Sequence, residues 1–369
     1  MNREAPKMNT AERAAALALA VAQFPFLGRI TAEGLIALVR AELGHSEALD
    51  DFQPHGRHFS KATPAATILH ILSGNTPAAA LQSILRGLLI GSHNLCKLPS
   101  GGLSEIAQLQ TSLPPELADR IETTRELPAD WLEEADAVIV FGNDETITHF
   151  RDRVRADQAF LPHGHRLSCG IVFSDPQFES VIGAARDASV FDQQGCLSPQ
   201  VFYVADDPLA YAARLATEMD RFHANEPRAA LSLSEANSIR ALRADLAFQA
   251  ANDEPIVVFQ SAGSTAWTVA FDAHHGFPRS PLNRFVFVKP LPADLPVALA
   301  EVRPYLSTAG IWPATRANAV LAAEIGVSRV CPIGRMQLPP LTWHQDGQPP
   351  LGRLVRWIDA ELAAGEGGL

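Results

Sequence analysis

The segment Ala66-Thr-Ile-Leu-His-Ile-Leu72 is a near-continuous apolar run of strand length, and together with the turn and helix pattern after it this run constrains the fold more than anything else in the chain. Ser73-Gly-Asn-Thr-Pro77 is a turn whose proline suits the first turn of a helix, and Ala78 to Ile90 continues with helical periodicity. A short strand at Asn94 to Leu98, the turn Pro99-Ser-Gly-Gly102 and a helix from Leu103 to Leu109 complete a β-α-β-α series. Apolar strands alternating with helices need cover on both faces, so the series predicts a parallel α/β sheet. The pattern returns at Asp136-Ala-Val-Ile-Val-Phe141, followed by the turn Gly142-Asn-Asp-Glu-Thr146 and a helix to about Ala156.

Around this unit the chain is organised more loosely. Two helices are expected before it, one around the alanine-rich stretch Ala14 to Ala22 and one from Thr31 to Leu43; Asp50 to Pro64, rich in His, Pro and Gly, reads as loop. Downstream, strands are expected at Val201 to Val204, Ile256 to Phe259, Trp267 to Phe271 and Arg284 to Val288, with a helix at Pro208 to Phe222. The 369 residues suit two domains. We place them at 1–170 and 171–336, followed by a C-terminal arm and helix at 337–369, the helix running from Leu354 to Ala363.

With 47% apolar and 19% charged residues the composition is that of a globular protein, not of a disordered one. A net charge of −11 argues against a phosphate-backbone binder, so nucleic acid is not an expected partner. No apolar run approaches the roughly 20 residues of a membrane span, and the N-terminus lacks the pattern of a signal peptide. The four cysteines, Cys96, Cys169, Cys196 and Cys331, show neither a disulfide framework nor zinc spacing, which suits reduced thiols in the cytoplasm.

Two places carry chemistry. Cys196 lies in Asp192-Gln-Gln-Gly-Cys-Leu-Ser-Pro199, a polar loop without apolar periodicity, where a thiol has little reason to serve as core filling. A reactive thiolate needs an electropositive setting, and Gly195 lets a substrate approach the backbone. The turn after Phe141 has the form that binds phosphate at a helix N-terminus, although a glycine-bearing βα turn also occurs for packing alone and no GxGxxG is present. Only four lysines occur against 26 arginines, so Lys97, inside an ordered motif, draws attention.

Taken together, Ser73-Gly-Asn-Thr-Pro77, Gly91-Ser-His-Asn-Leu-Cys-Lys-Leu-Pro-Ser100, Gln193-Gln-Gly-Cys196, Gly326-Val-Ser-Arg329 and Pro332-Ile-Gly-Arg335 resemble, in order, the acyl-CoA reductase family of the bacterial bioluminescence type (LuxC), within the aldehyde dehydrogenase superfamily. The resemblance runs from about residue 50 to about 350. It implies an aldehyde dehydrogenase-like α/β fold, with a Rossmann-type cofactor domain built on a parallel sheet and a second α/β catalytic domain. It also implies that Cys196 is the nucleophile, that Asn75 stabilises the oxyanion, that Lys97 contacts the cofactor's adenosine ribose or its 2′-phosphate, and that Gly142, Asn143 and Thr146 face the pyrophosphate. The implied cofactor is NADPH, and the implied partners are acyl-CoA or an acyl carrier protein, together with a possible acyl-transferring enzyme.

One departure from the superfamily sharpens the reaction. Hydrolytic aldehyde dehydrogenases carry a water-activating glutamate before a Gly-Gly pair; the matching stretch here, His165-Arg-Leu-Ser-Cys-Gly170, has Leu167 at that place and no acid. Reduction of an acyl thioester to an aldehyde therefore fits better than aldehyde oxidation. Reduction of an acyl phosphate, or a non-catalytic acyl-holding role, are the alternatives. Candidate proton donors are His163, His165 and His344. The chain is short for the superfamily, with no evident room for the strand arm by which many members pair subunits, so the oligomeric state stays open.

Overall fold

The computed structural model describes residues 8–74 and 77–361, and it divides into two compact units, one formed by residues up to His165 and from Pro340 onward, the other by Arg166–Pro339. The first boundary thus falls ahead of the strand at Leu167, not inside it at 170, and the C-terminal segment belongs with the N-terminal unit. Among the described residues no helix is long and apolar enough to cross a membrane, and no group of three His, Cys, Asp or Glu side chains is placed to hold a metal.

The first unit contributes β1 (Gln53–His55), β2 (His58–Pro64), β3 (Thr67–Ile71), β4 (His93–Lys97), β5 (Ile121–Thr124), β6 (Ala137–Phe141) and β7 (Ala159–His163). The last five form a parallel sheet in the order β5-β4-β3-β6-β7. Every residue of β3 and β6 is buried, because helices cover both faces of the sheet. The helix Pro77–Ile90 is buried on every side over Ala80–Ile90. Its outer face is covered by Thr10–Val21, which starts at a capping box between Asn9 and Glu12, while Ala32–Leu43, capped by Thr31, packs on Thr10–Val21. Arg13, buried on the first helix, ties it down through hydrogen bonds to the Leu89 and Met8 carbonyls at 2.8 and 2.5 Å.

The second unit holds β8 (Leu167–Val172), β9 (Pro199–Val204), β10 (Ile256–Gln260), β11 (Thr268–Asp272), β12 (Phe285–Pro290), β13 (Leu306–Trp312) and β14 (Arg329–Pro332). They form one sheet in the order β10-β11-β12-β9-β8-β13-β14, parallel except for the edge pair β10-β11. β9, wholly buried, lies at its centre. Gly170 of β8 sits where a Cβ would come within 2.1 Å of the Phe202 ring, so only glycine lets these two strands pack. The long helix Leu233–Ala251 is absent from the sequence expectations; only Ile239 and Leu246 of it are buried, so it carries almost no apolar stripe to read.

Two expectations are corrected at the chain's ends. Asp50–Pro64 is not loop throughout, and the final segment is a strand, β15 (Val355–Ala360), not a helix. β15 pairs antiparallel with β2 from Val355 opposite Pro64 to Ala360 opposite Phe59, and β1 closes a three-stranded sheet on the other side of β2. A helix at 354–363 would have left that edge of β2 unpaired. The length therefore does leave room for an accessory antiparallel sheet, whose outer strand exposes Trp357 and Ile358 by 45% and 50%.

Candidate active site

In the second unit the helix Val181–Ser189 runs into Phe191, Asp192 and Gln193, all with left-handed backbone at φ 53°, 52° and 63°. None is glycine, and each such residue costs on the order of 1–2 kcal/mol. A second left-handed tripeptide, Leu282–Asn283–Arg284, holds the first in place. The fully buried Gln193 amide donates to the Pro199 and Phe285 carbonyls at 2.8 and 2.9 Å, and its oxygen accepts from the Phe285 N–H at 2.8 Å. Gln194 donates to Asn283 at 2.8 Å, and Asp192 pairs with Arg284 at 2.7 Å.

This network delivers Cys196 into a tight turn, in which the Ser198 N–H donates to the Gly195 carbonyl at 3.0 Å. The Ser168 hydroxyl of β8 donates to the Cys196 carbonyl at 2.7 Å and fixes the turn from below. Among the four cysteines Cys196 alone is exposed. Burial pushes the Cys96 thiol up, Cys169 up to about 12 and Cys331 up to about 11, so those three stay protonated and unreactive at neutral pH.

Sequence reading missed two residues behind this turn. Burial lowers the Arg329 guanidinium of β14, Cys331, Asp187 and, least of all, Cys196 pull it back up, and Arg335 lowers it further. Arg329 is held by the Met336 and Arg335 carbonyls at 2.7 and 2.9 Å. Asp187, pushed up to about 7 by burial, accepts the Gly334 and Met336 N–H groups at 2.5 and 3.1 Å. Gln337 continues this chain to the Ser198 hydroxyl at 3.0 Å. The motifs Gly326–Arg329 and Pro332–Arg335 contained this cation, but nothing local in them tied it to Cys196. Leu167, where hydrolytic relatives hold their glutamate, is half-buried and packs into the core around β8.

In the first unit the expected cofactor residues gather at the carboxyl edge of the parallel sheet. Because β3 is flanked by β4 and β6, the chain leaves β3 in one direction and β6 in the other, the crevice where open α/β sheets bind ligands. Gly142 follows β6, and a Cβ there would come within 2.8 Å of Thr146. Asn143 caps the helix Asp144–Arg151, its oxygen accepting the Thr146 N–H and hydroxyl at 2.9 and 2.7 Å. Thus the Asn143 and Thr146 side chains bond each other, and the first turn carries the exposed acids Asp144 and Glu145. Lys97 ends β4, with its ammonium unpaired among the described residues, and Arg125 follows the strand residue paired with it, Thr124. Asn75 lies outside the described residues.

Of the three candidate histidines, His163 ends β7, stacks on Phe141 at 4.7 Å and meets Asp346 at 2.7 Å through Nδ1, an arrangement that orients its ring. His344 is exposed and pairs with Glu42 at 3.2 Å, while His165 is exposed on the surface.

The model of the acyl-CoA reductase (LuxC) family matches residues 7–357. The chain belongs to that family. The match begins with the N-terminal helices, well before the motifs that first suggested it. The long-chain acyl-protein thioester reductase of Aliivibrio fischeri is 25% identical over 348 residues, covering 89% of this chain and 70% of the relative. That of Vibrio harveyi is 22% identical, covering 89% and 71%. By fold this LuxC-family chain is aldehyde dehydrogenase-like. The Mycobacterium tuberculosis aldehyde dehydrogenase complexed with NAD+ superposes with a TM-score of 0.68 at 12% identity, over 100% of this chain and 88% of that one. A Corynebacterium glutamicum NAD-dependent benzaldehyde dehydrogenase gives 0.62 at 12%, over 97% and 87%.

Proposed function

We propose that this protein reduces a long-chain acyl thioester to the aldehyde with NADPH, through an acyl-enzyme on Cys196. The observation that carries the reading is the Cys196 turn, where one exposed thiol is held by a buried network in a LuxC-family chain. The Cys196 sulfur attacks the acyl carbonyl, and the bond from that carbonyl to the donor's sulfur breaks as the donor thiol leaves with a proton. We assign the oxyanion to the Asn75 amide and the Cys196 N–H, each such donor being worth roughly 3 kcal/mol. When bound, NADPH would supply the hydride that converts the acyl-cysteine to aldehyde and releases Cys196 as the thiolate. Leu167 can take no proton from water, so the acyl-cysteine waits for reduction instead of hydrolysing.

The first unit is proposed as the cofactor-binding domain, with Gly142, Asn143 and Thr146 on the pyrophosphate and Lys97 on the adenosine ribose. No carboxylate follows β4 before Glu105, so the acid that would grip a 2′-hydroxyl and repel a 2′-phosphate is missing, while Lys97 and Arg125 stand at adjoining strand ends. The second unit is the catalytic domain. The relatives' name, acyl-protein thioester reductase, favours an acylated carrier protein or acyl-transferring enzyme as donor beside acyl-CoA. A cytoplasmic setting keeps the thiol reduced.

Intact-mass measurement after mixing with a long-chain acyl-CoA tests this. Wild type is expected to gain one acyl mass that persists without NADPH and leaves as aldehyde when NADPH is added; Cys196→Ser is expected to gain none. A label on Cys96, Cys169 or Cys331 overturns the site. Free acid released as fast as aldehyde overturns the reduction.

A further inference from the structure

The second unit holds a cavity of about 420 Å³ lined by His223, Arg228, Arg240, Ser264 and Thr265, none of which the reaction above uses. Two further guanidiniums bond to its lining segments. Arg243 spends itself on the Ser264 and Trp267 carbonyls, both at 2.7 Å, and Arg284 reaches His223 at 3.5 Å while pairing with Asp192. Burial lowers all of Arg228, Arg243 and Arg284, and neighbouring cations lower two of them further: Arg284 acts on Arg228, and Arg228 acts on Arg243. The Nε atoms of Arg228 and Arg284 are buried without a hydrogen-bond partner.

Three acids, Asp192, Glu226 and Glu235, face this cluster of four arginines and balance it only in part. Asp192 pairs with Arg284, and Glu235 is drawn to Ser232 as the cap of the helix Leu233–Ala251; both also act on Arg228. Glu226, in the same loop as Arg228, meets Arg284 through its backbone carbonyl at 2.8 Å and also acts on it through its carboxylate. In a chain of net charge −11 with acids in excess, four arginines and a histidine around one hollow are a local reversal of sign. Mutual repulsion and unspent N–H groups are both relieved by an anion with several acceptor oxygens, and guanidinium geometry with flanking hydroxyls suits phosphate.

We infer that this pocket binds a phosphate of the acyl donor's carrier arm. Its cation cluster joins the nucleophile's loop directly: Asp192 pairs with Arg284, accepts the Ala229 N–H at 3.1 Å and precedes Cys196 by four residues, a chain span of at most about 14 Å. A phosphopantetheine arm carries its thioester at one end and its phosphate at the other, whether it ends in CoA or in a carrier protein. Anchoring the phosphate lets the flexible arm present the thioester without further contacts. The identity of the donor rests on the proposed reaction; the anion pocket does not.

The test compares Cys196 acylation rates, at a series of concentrations, for acyl-CoA, acylated carrier protein and acyl-pantetheine, which lacks phosphate, in full-length wild type, Arg240→Ala and Arg240→Glu. Arg240 is exposed, so neither substitution endangers folding. Wild type is expected to need about tenfold more acyl-pantetheine than acyl-CoA for half-maximal rate, and Arg240→Glu to need about tenfold more of the phosphate-bearing donors at unchanged limiting rate, with acyl-pantetheine unaffected. A shift for both acyl-CoA and carrier protein assigns the phosphopantetheine phosphate; a shift for acyl-CoA alone assigns the nucleotide phosphates. Equal shifts for all three donors, or none, overturn the inference. If wild type takes an acyl group from no donor, the proposed reaction fails. Calorimetry with inorganic pyrophosphate then decides the pocket: binding weakened by Arg240→Glu retains it, and equal or absent binding removes it.

Discussion

The Cys196 turn and the Gly142–Thr146 turn are both proposed to carry chemistry, yet they are built in opposite ways. Around Cys196, three left-handed residues are held by partners far away in sequence, Gln193 with Phe285 and Asp192 with Arg284. Around Gly142 the backbone is regular, and Asn143 bonds a residue three positions on. As the proposed nucleophile, Cys196 must be fixed against strain before substrate arrives, because a small misplacement of a reacting atom is expensive in rate. A pyrophosphate site needs only N–H groups at a helix start, which a local cap supplies.

Breaking the two supports should expose the difference. Gln193→Leu removes three buried hydrogen bonds, although the Phe285 carbonyl keeps the Ser280 hydroxyl and the Phe285 N–H keeps the Leu282 carbonyl, so we expect a loss of about 2–4 kcal/mol in urea unfolding and acylation at least about 100-fold slower. Asn143→Ala removes only a cap, for about 1 kcal/mol and unchanged acylation. Similar losses in the two variants would show that the Cys196 turn is not held by its long-range network.

Next in size is Asn75→Ala, expected to slow acylation about 10²- to 10³-fold, the usual cost of one oxyanion donor, with NADPH affinity unchanged. Single-turnover acylation measures the first and fluorescence titration the second. If cofactor affinity falls and acylation does not, Asn75 serves the cofactor turn and the oxyanion is held elsewhere.

The contrast between local and distant support also explains what could be read before the fold was known. The strands Thr67–Ile71 and Ala137–Phe141 and the helix Pro77–Ile90 were legible because apolar runs and a 3.6-residue period are local signals. That Cys196, alone of the four cysteines, is exposed was legible from its polar loop. The Gln193 network, Arg329 and Asp187 were not, since each acts on a segment far away in sequence. β15 was misread for the same reason: its sequence tolerates a helix, and the deciding partner, β2, lies at the other end of the chain.

The units should also answer pH in opposite senses. His70, fully buried between Ser83 and Asn94, is held down to about 4 by burial, against 6.5 in the unfolded chain. The unfolded state therefore binds the extra proton first, and this contribution to stability, complete above pH 6.5, is lost as pH falls toward 4, by about 3 kcal/mol. Asp187 is raised from 3.8 to about 7, so its contribution is present below 3.8 and lost as pH rises toward 7. Urea unfolding between pH 4.5 and 7.5 should show His70→Gln flattening the acid-side loss and Asp187→Asn flattening the rise toward the acid side. A change of the same sign from both variants would contradict the buried placement of one of them.

The smallest expected effect is at Lys97, and its size is set by how that side chain is held. Its backbone is fixed, with the Lys97 carbonyl accepting the Leu72 N–H at 3.0 Å, while its ammonium has no partner among the described residues to leave stranded. Lys97→Ala should therefore change stability by less than about 0.5 kcal/mol. In the proposed role it loses one charge-assisted contact to the cofactor, about tenfold in the KM for NADPH, or about 1.4 kcal/mol. NADH, which lacks the 2′-phosphate, should be used as poorly by the variant as by wild type, and Cys196 acylation should be untouched. Steady-state KM values for both cofactors check the first point and intact mass the second. An equal rise for NADH and NADPH would move the lysine from the 2′-phosphate to the ribose or pyrophosphate, and slower acylation would show that the strand end of the first unit also governs the thiol.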